Sequence, residues 1–337
     1  MHEAIVKPRA LKPGDTIKII APSSLTASLT NLPKAVSFLT KNGFKVRLSS
    51  SMHKMSATRY FSAGDHMRLM EIEEAFKDDK IDGIMALRGG AGAIDILNKL
   101  NYDVVKEHPK VFIGYSDLTF LEMAIMRKTG LLTFQGPMLV DLAEEDQSVL
   151  KYNWDTMMSI VQKKEMVALR NPLESKWSRT ITEGKAKGRL IGGNLSVLAL
   201  LANTAYMPST DDSIVFLEDV DIEPWQIDNM LTSLVIKGVF RKANGLLFGE
   251  FPHYGLEESL ENSPTNYLIN DILIEGFVEN MISDIIFDIV TKKVKEMPSF
   301  MDFVCCHGKY ITTLPIGVKA EIDATNRELT MLESAVD

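Results

Sequence analysis

The chain is poor in the features that mark a secreted scaffold, a nucleic-acid surface or a membrane span. It has 2 cysteines, adjacent at Cys305 and Cys306, and adjacent thiols close no useful loop, which excludes a disulfide framework. Positive charge is not in excess: 37 Lys and Arg against 45 Asp and Glu leave a formal charge of −8. Without a basic block or interleaved aromatics, a nucleic-acid polymer is not an expected partner. Apolar runs such as LIGGNLSVLALLANTAY are interrupted, here by Asn194 and Asn203, so no membrane span is expected. The first residues carry no basic segment followed by a long apolar one, so no Sec-type signal is read and a soluble, cytoplasmic protein is expected. G-x-G-x-x-G, Walker A and HExxH patterns are absent as well, and neither a cofactor nor a metal is expected.

What is present is a long α/β pattern. With 337 residues and 45% hydrophobic content, the chain can bury a large core and is long enough for two domains. TIKII, FKVRLSS, IDGIMAL, VFIGYS and LLTFQG read as strands. Between them NLPKAVSFLTKNG, HMRLMEIEEAFKDD, AIDILNKLN and LTFLEMAIMRK read as helices, the first with Pro33 near its start and Gly43 past its end. Such alternation predicts a mostly parallel sheet flanked by helices. KYNWDTMMSIVQKK follows as a helix and NPLESKWSRTITEGK as a loop or bridge. Beyond it SIVFLED and NGLLFGE read as strands around the helix EPWQIDNMLTSLVIKG, and FVCC, GVKAEIDA and ELTMLES as strands, with LPIG as a bend. The domain boundaries read from this pattern are 1–165 for an N-terminal α/β unit, 166–184 for a linker and 185–337 for a C-terminal unit.

In a parallel sheet, loops after strand C-termini converge, which brings two turns together. RGGAG (Arg88, Gly89, Gly90, Gly92) permits close backbone approach to a ligand; GYSD places Ser116 between an apolar strand and a helix. A hydroxyl there lies beside unpaired helix-start N–H groups and can act as a nucleophile. Leu118 stands where G-x-S-x-G has its second glycine, so an ordinary α/β-hydrolase elbow is not indicated, and helix capping by Ser116 and Asp117 is the alternative. Glu218 ends an apolar strand within the acidic group Asp219, Asp221 and Glu223, and His307 follows another. Each has a structural alternative, as a solvated strand end or a satisfied histidine. Taken together, Ser116, His307 and Glu218 form a chemically complete nucleophile, base and acid, with the substrate in an interdomain cleft.

Across LKPGDTIKIIAPSS, RGGAG, GYSDLT, GRLIGGNLSVLALLANT, FLEDVDIEPWQIDNML and CHGKYITTLPIGVKAEIDA, the chain resembles the LD-carboxypeptidase family of serine peptidases, which includes microcin C immunity-like proteins. The resemblance implies a Rossmann-like N-terminal nucleophile domain, a smaller β-rich C-terminal domain supplying acid and base, and a homodimer. It implies catalysis by Ser116, Glu218 and His307, with an oxyanion hole from the N–H groups of Gly90 and Asp117. Arg88, Gly89 and Trp177 are candidate substrate contacts, and Trp154 is a second tryptophan that could stack on a nucleobase. The implied reaction is hydrolysis of the L,D-amide before terminal D-alanine in cell-wall tetrapeptides. The alternative is cleavage of aminoacyl or peptidyl nucleotide amides, and a non-enzymatic small-ligand binding protein is the reading of a different class. GKY after His307 departs from the family's usual sequence there and weakens transfer of substrate preference.

Overall fold

The structure is a computed structural model that describes residues 4–24, 31–50, 60–163, 165–175, 178–252 and 271–337. Five parallel strands open the chain: β1 (Thr16–Ile20), β2 (Lys45–Leu48), β3 (Gly83–Ala86), β4 (Val111–Gly114) and β5 (Thr133–Gln135). Every residue of β3 and of β4 is buried, as expected when helices cover both faces of a parallel sheet. The strand order is β2-β1-β3-β4-β5. The order in which strands are added reverses between the parallel neighbours β1 and β3, a switch point at which the loops leaving the two strands diverge and open a crevice at their C-terminal ends. The expected helices appear at Leu32–Lys41, Asp65–Lys77 and Thr119–Thr129. Gly130, at φ 76, ends the last of these in a left-handed cap.

The second sheet collects β6 (Ala168–Leu169), β7 (Arg179–Thr182), β8 (Lys185–Asn194), β9 (Ser213–Glu218), β10 (Gly245–Gly249), β11 (Ser299–Phe303), β13 (Lys319–Asp323) and β14 (Glu328–Met331), while β12 (Leu314–Ile316) leaves it. Its order is β6-β14-β13-β8-β9-β10-β11-β7, with β8 to β11 parallel and the flanking strands antiparallel. β12 pairs antiparallel with β5 and becomes the sixth strand of the first sheet. A single apolar cluster runs through both sheets.

Two expectations about the fold are corrected. The C-terminal part is not the smaller one: its sheet has 8 strands against 6, because segments read as linker supply β6 and β7, which pair at its two edges. Nor is the first sheet plainly Rossmann-like. Its order is not the 3-2-1-4-5-6 of dinucleotide-binding sheets, and a C-terminal strand closes one edge. LPIG, read as a bend, is that strand. Among the described residues no helix is long and apolar enough to cross a membrane.

Candidate active site

Ser116 sits where expected, directly after β4, and its backbone is strained. At φ 66 it is one of few non-glycine residues in the left-handed region, a conformation that costs an L-residue about 1–2 kcal/mol and recurs where a side chain must be aimed. It opens a short 3-10 turn, Ser116–Leu118, that continues into the helix Thr119–Thr129. The N–H of Asp117 therefore lies at a helix start, where backbone donors have no intrahelical acceptor.

The glycine turn after β3 comes up against this serine. A cavity of about 190 Å³ is lined by Arg88, Gly89, Gly90, Tyr115, Ser116, Met138, Val140 and His307. The two turns expected to converge do so, and His307 joins them. Gly90 adopts φ 114, and a side chain there would collide with Ser24, so the close approach of these loops requires glycine. Among the described residues the Gly90 N–H meets no hydrogen-bond acceptor, whereas the Ala91 N–H donates to Ser24 Oγ at 3.1 Å.

His307 and Glu218 come from the second sheet. His307 Nδ1 donates to Glu218 Oε2 at 2.7 Å. Glu218 ends β9 and is fully buried, and burial pushes its carboxyl up, opposed by the His307 charge and hydrogen bond. Burial alone would depress His307; the Glu218 charge and hydrogen bond, aided by Asp219 and Asp141, outweigh it and raise the imidazole above its ordinary value. On the other side the Tyr115 ring packs edge-on to His307, centroids 5.0 Å apart. The Tyr115 hydroxyl donates to Asp141 at 3.3 Å.

Three polar residues matter here beyond those read from sequence. Asn194, opposite Glu218 in the β8–β9 register, donates from Nδ2 to Asp219 Oδ1 at 2.9 Å and to Glu218 Oε1 at 3.5 Å; in the sequence it merely interrupts an apolar run. Gln135 of β5 donates to Glu122 of the helix Thr119–Thr129, and burial holds Glu122 well above its ordinary value. Arg88 and Gly89 line the cavity, while Trp177 lies outside the described residues. Trp154 is not among the residues lining this cavity; its ring packs edge-on against Phe38 and Phe44, at 5.1 and 6.0 Å. Cys305 and Cys306 are buried free thiols; Cys306 has φ 52, so the pair is not the extended strand expected from FVCC. Among the described residues no cluster of three or more His, Cys, Asp or Glu could hold a metal.

Comparison with known proteins agrees with this architecture. Residues 17–136 match the LD-carboxypeptidase N-terminal domain and residues 187–322 the C-terminal domain of the same family. The chain is 36% identical over 246 residues to the "Probable murein peptide carboxypeptidase" of Bacillus subtilis, covering 73% of this chain and 75% of that one. It is 27% identical over 359 residues to the microcin C7 self-immunity protein MccF of Escherichia coli, covering 98% and 96%. Solved structures of a microcin C7 self-immunity protein MccF, including a complex with aspartyl sulfamoyl adenosine, share the fold at TM-score 0.81 and 24% identity over 98% of this chain and 100% of that one. An MccF-like protein from Bacillus anthracis str. Ames aligns at TM-score 0.80 and 28% identity over 97% and 99%.

The comparison corrects the expectation of an enzyme defined by a Ser-His-Glu triad. The active-site variant solved for the microcin C7 self-immunity protein replaces a serine, an asparagine and a lysine by alanine. Serine-dependent hydrolysis stands, but that three-residue description does not. The physical reason is that amide hydrolysis also needs groups that hold and polarise the substrate, which a nucleophile, base and acid alone do not supply. With both domain models matched in order and a B. subtilis relative above one-third identity, the chain belongs to the LD-carboxypeptidase family.

Proposed function

We propose that this protein is a serine-dependent amide hydrolase acting on small aminoacyl or peptidyl nucleotide amides, with Ser116 as the attacking residue. The observation that carries the reading is the placement of Ser116: a strained hydroxyl-bearing turn, pressed against Gly89, in one cavity with Arg88, Gly90 and His307. Ser116 Oγ attacks the scissile carbonyl, and the oxygen that becomes negative meets the N–H groups of Gly90 and Asp117. The proton that leaves Ser116 passes to the departing amine by way of the His307 imidazole, which lines the same cavity. The wider set adds Asn194 beside Glu218 and the Arg88 cation for an anionic substrate group. The steps call on neither metal nor cofactor. In this reading the protein is a cytoplasmic homodimer, with the nucleophile in residues 1–165 and the acid and base in 185–337, joined through 166–184.

The near-complete mutual coverage with the E. coli immunity protein supports the nucleotide-amide substrate, as does the relative solved with aspartyl sulfamoyl adenosine. The higher identity to the B. subtilis protein supports a second substrate, a cell-wall peptide cleaved before terminal D-alanine. Purified protein offered aspartyl sulfamoyl adenosine and an L,D-tetrapeptide in parallel separates them. We expect the first to be turned over and Ser116→Ala to lose about 10⁴-fold or more. Cleavage of the tetrapeptide alone replaces the substrate; full activity in Ser116→Ala rejects the mechanism.

A further inference from the structure

Residues 60–68, YFSAGDHMR, pack against residues 21–24, which follow β1, and against the glycine turn that follows β3. Phe61 bridges Ser24 antiparallel. The Ser62 N–H donates to the Ser23 carbonyl at 2.9 Å and its hydroxyl donates to the Ala21 carbonyl. Arg68, in the helix Asp65–Lys77, is fully buried. Its Nη1 donates to the Pro22 carbonyl at 2.6 Å and to the Gly92 carbonyl at 2.8 Å, and its Nη2 to Asp65 at 2.8 Å. The guanidinium carbon lies 4.8 Å from the centre of the Phe61 ring. A buried cation is tolerated only with such partners, so they fix where it sits.

These bonds grip one peptide unit from both ends. Arg68 holds the Gly92 carbonyl, while the Ala93 N–H of the same unit donates to Asp117 Oδ2 at 2.9 Å. At the other end of the turn, the Ser24 N–H donates to the Gly89 carbonyl at 3.3 Å and Ser24 Oγ accepts from Ala91. Gly92, at φ 115, leaves no space for a side chain, since a Cβ would lie 2.6 Å from the Phe61 ring and 2.9 Å from Arg68 Nη1. Asp117 is the residue after Ser116. The chain of contacts Arg68, Gly92–Ala93, Asp117 therefore sets the gap between the glycine turn and the serine turn.

We propose that Arg68 is a positioning residue for anion stabilisation: it holds the glycine turn where the Gly90 N–H meets the oxygen that turns negative as Ser116 attacks. The proposal rests on the hydrolase reading above. Arg68 touches no reacting atom and acts through Gly92 and Asp117. A misplaced donor of this kind lowers the rate by about 10²-fold, because its stabilisation is realised only in the transition state.

The test uses Arg68→Lys and Arg68→Gln in the full chain, with Ser116→Ala as reference. A lysine ammonium lacks the planar fork that joins the two carbonyls on Nη1 to Asp65 on Nη2. The expected result is a fall in kcat of about 10²-fold with KM changed by less than about threefold. Affinity for a peptide boronic acid, which adds to a serine hydroxyl as a negative tetrahedral adduct, falls in parallel. A purely structural role would lower thermal stability without that split. Where the Arg68 variants do not fold, Phe61→Leu keeps every hydrogen bond of Arg68 and removes the ring beneath it, with a several-fold loss in the same two quantities expected. A folded variant with wild-type kcat and boronate affinity overturns the proposal. Wild-type protein that neither turns over substrate nor binds boronate through Ser116 instead overturns the hydrolase reading.

Discussion

A Cβ built on Gly89 would lie 2.8 Å from the Cβ of Ser116 and 2.9 Å from its Oγ. The glycine turn thus forms part of the space in which the serine hydroxyl rotates. Gly89→Ala must push the hydroxyl off its line or part the two turns. We expect labelling of Ser116 by a fluorophosphonate to slow by about 10²-fold, with a stability loss of about 1–3 kcal/mol from overpacking. Labelling at the wild-type rate would show that the turns separate freely.

Ser116 itself sets stability against reactivity. Its φ of 66 is unfavourable for any residue with a Cβ and neutral for glycine. Ser116→Gly should therefore stabilise the fold by about 1 kcal/mol while abolishing turnover, since the strain disappears together with the hydroxyl. Denaturant unfolding of the two proteins measures the difference. An unchanged midpoint would mean that the surrounding contacts, not the serine, hold the turn in this conformation.

The hydrogen bond from His307 to Glu218 makes a prediction that needs no substrate. The Glu218 charge and hydrogen bond outweigh burial and raise the imidazole, so Glu218→Gln, which keeps the shape and removes the charge, should shift the His307 titration downward. Ring-proton NMR on a series of pH values reads this directly. A titration that stays in place would show that the pair is neutral in the folded protein.

How far the sequence carries can be judged from Ser116, Glu218 and Leu314. Hydrophobic patterning places β1 to β5 and most of the helices between them, because a parallel sheet buries both faces and writes continuous apolar runs. The convergence of RGGAG with GYSD follows from strand direction alone. What patterning cannot supply is which sheet a short segment joins. Leu314–Ile316 is three residues long, and only its pairing with Gln135, Phe134 and Thr133 makes it a strand. Arg179–Thr182 reads as loop because edge pairing with β11, not its own composition, orders it. AIDILNKLN reads as a helix, but only a short 3-10 turn forms at Ala93–Ile96, followed by the helix Tyr102–Glu107 capped by Asn101. Asn194 and Arg68 carry no local signal at all. Their importance lies in partners 24 residues away, Glu218 and Gly92 respectively.

Asp141 carries the remaining prediction. It is partly buried, with Oδ2 accepting from the Met138 N–H at 2.8 Å and Oδ1 from the Tyr115 hydroxyl. Burial pushes its carboxyl up to about 6, against the pull of these two donors and of His307, while Glu144 adds to the rise. The folded state therefore binds this proton more tightly than the unfolded chain, whose ordinary value is 3.8. The resulting stabilisation is fully present below that ordinary value and is lost as pH rises through about 6. In Asp141→Asn the side chain cannot ionise, yet its amide can still accept from Met138 and donate to Tyr115. The substitution should accordingly flatten part of the decline in stability between these two pH values. Relative to wild type it should gain about 1–2 kcal/mol near neutrality, after allowance for partial exposure. Buried Glu122 and Glu218 are also raised, so the wild-type curve contains their contributions too; the difference between variant and wild type reports Asp141 together with the part of the His307 shift that its charge supports. Denaturant midpoints across the range decide the matter: parallel curves would show that this carboxylate ionises in the folded protein as it does in the unfolded chain.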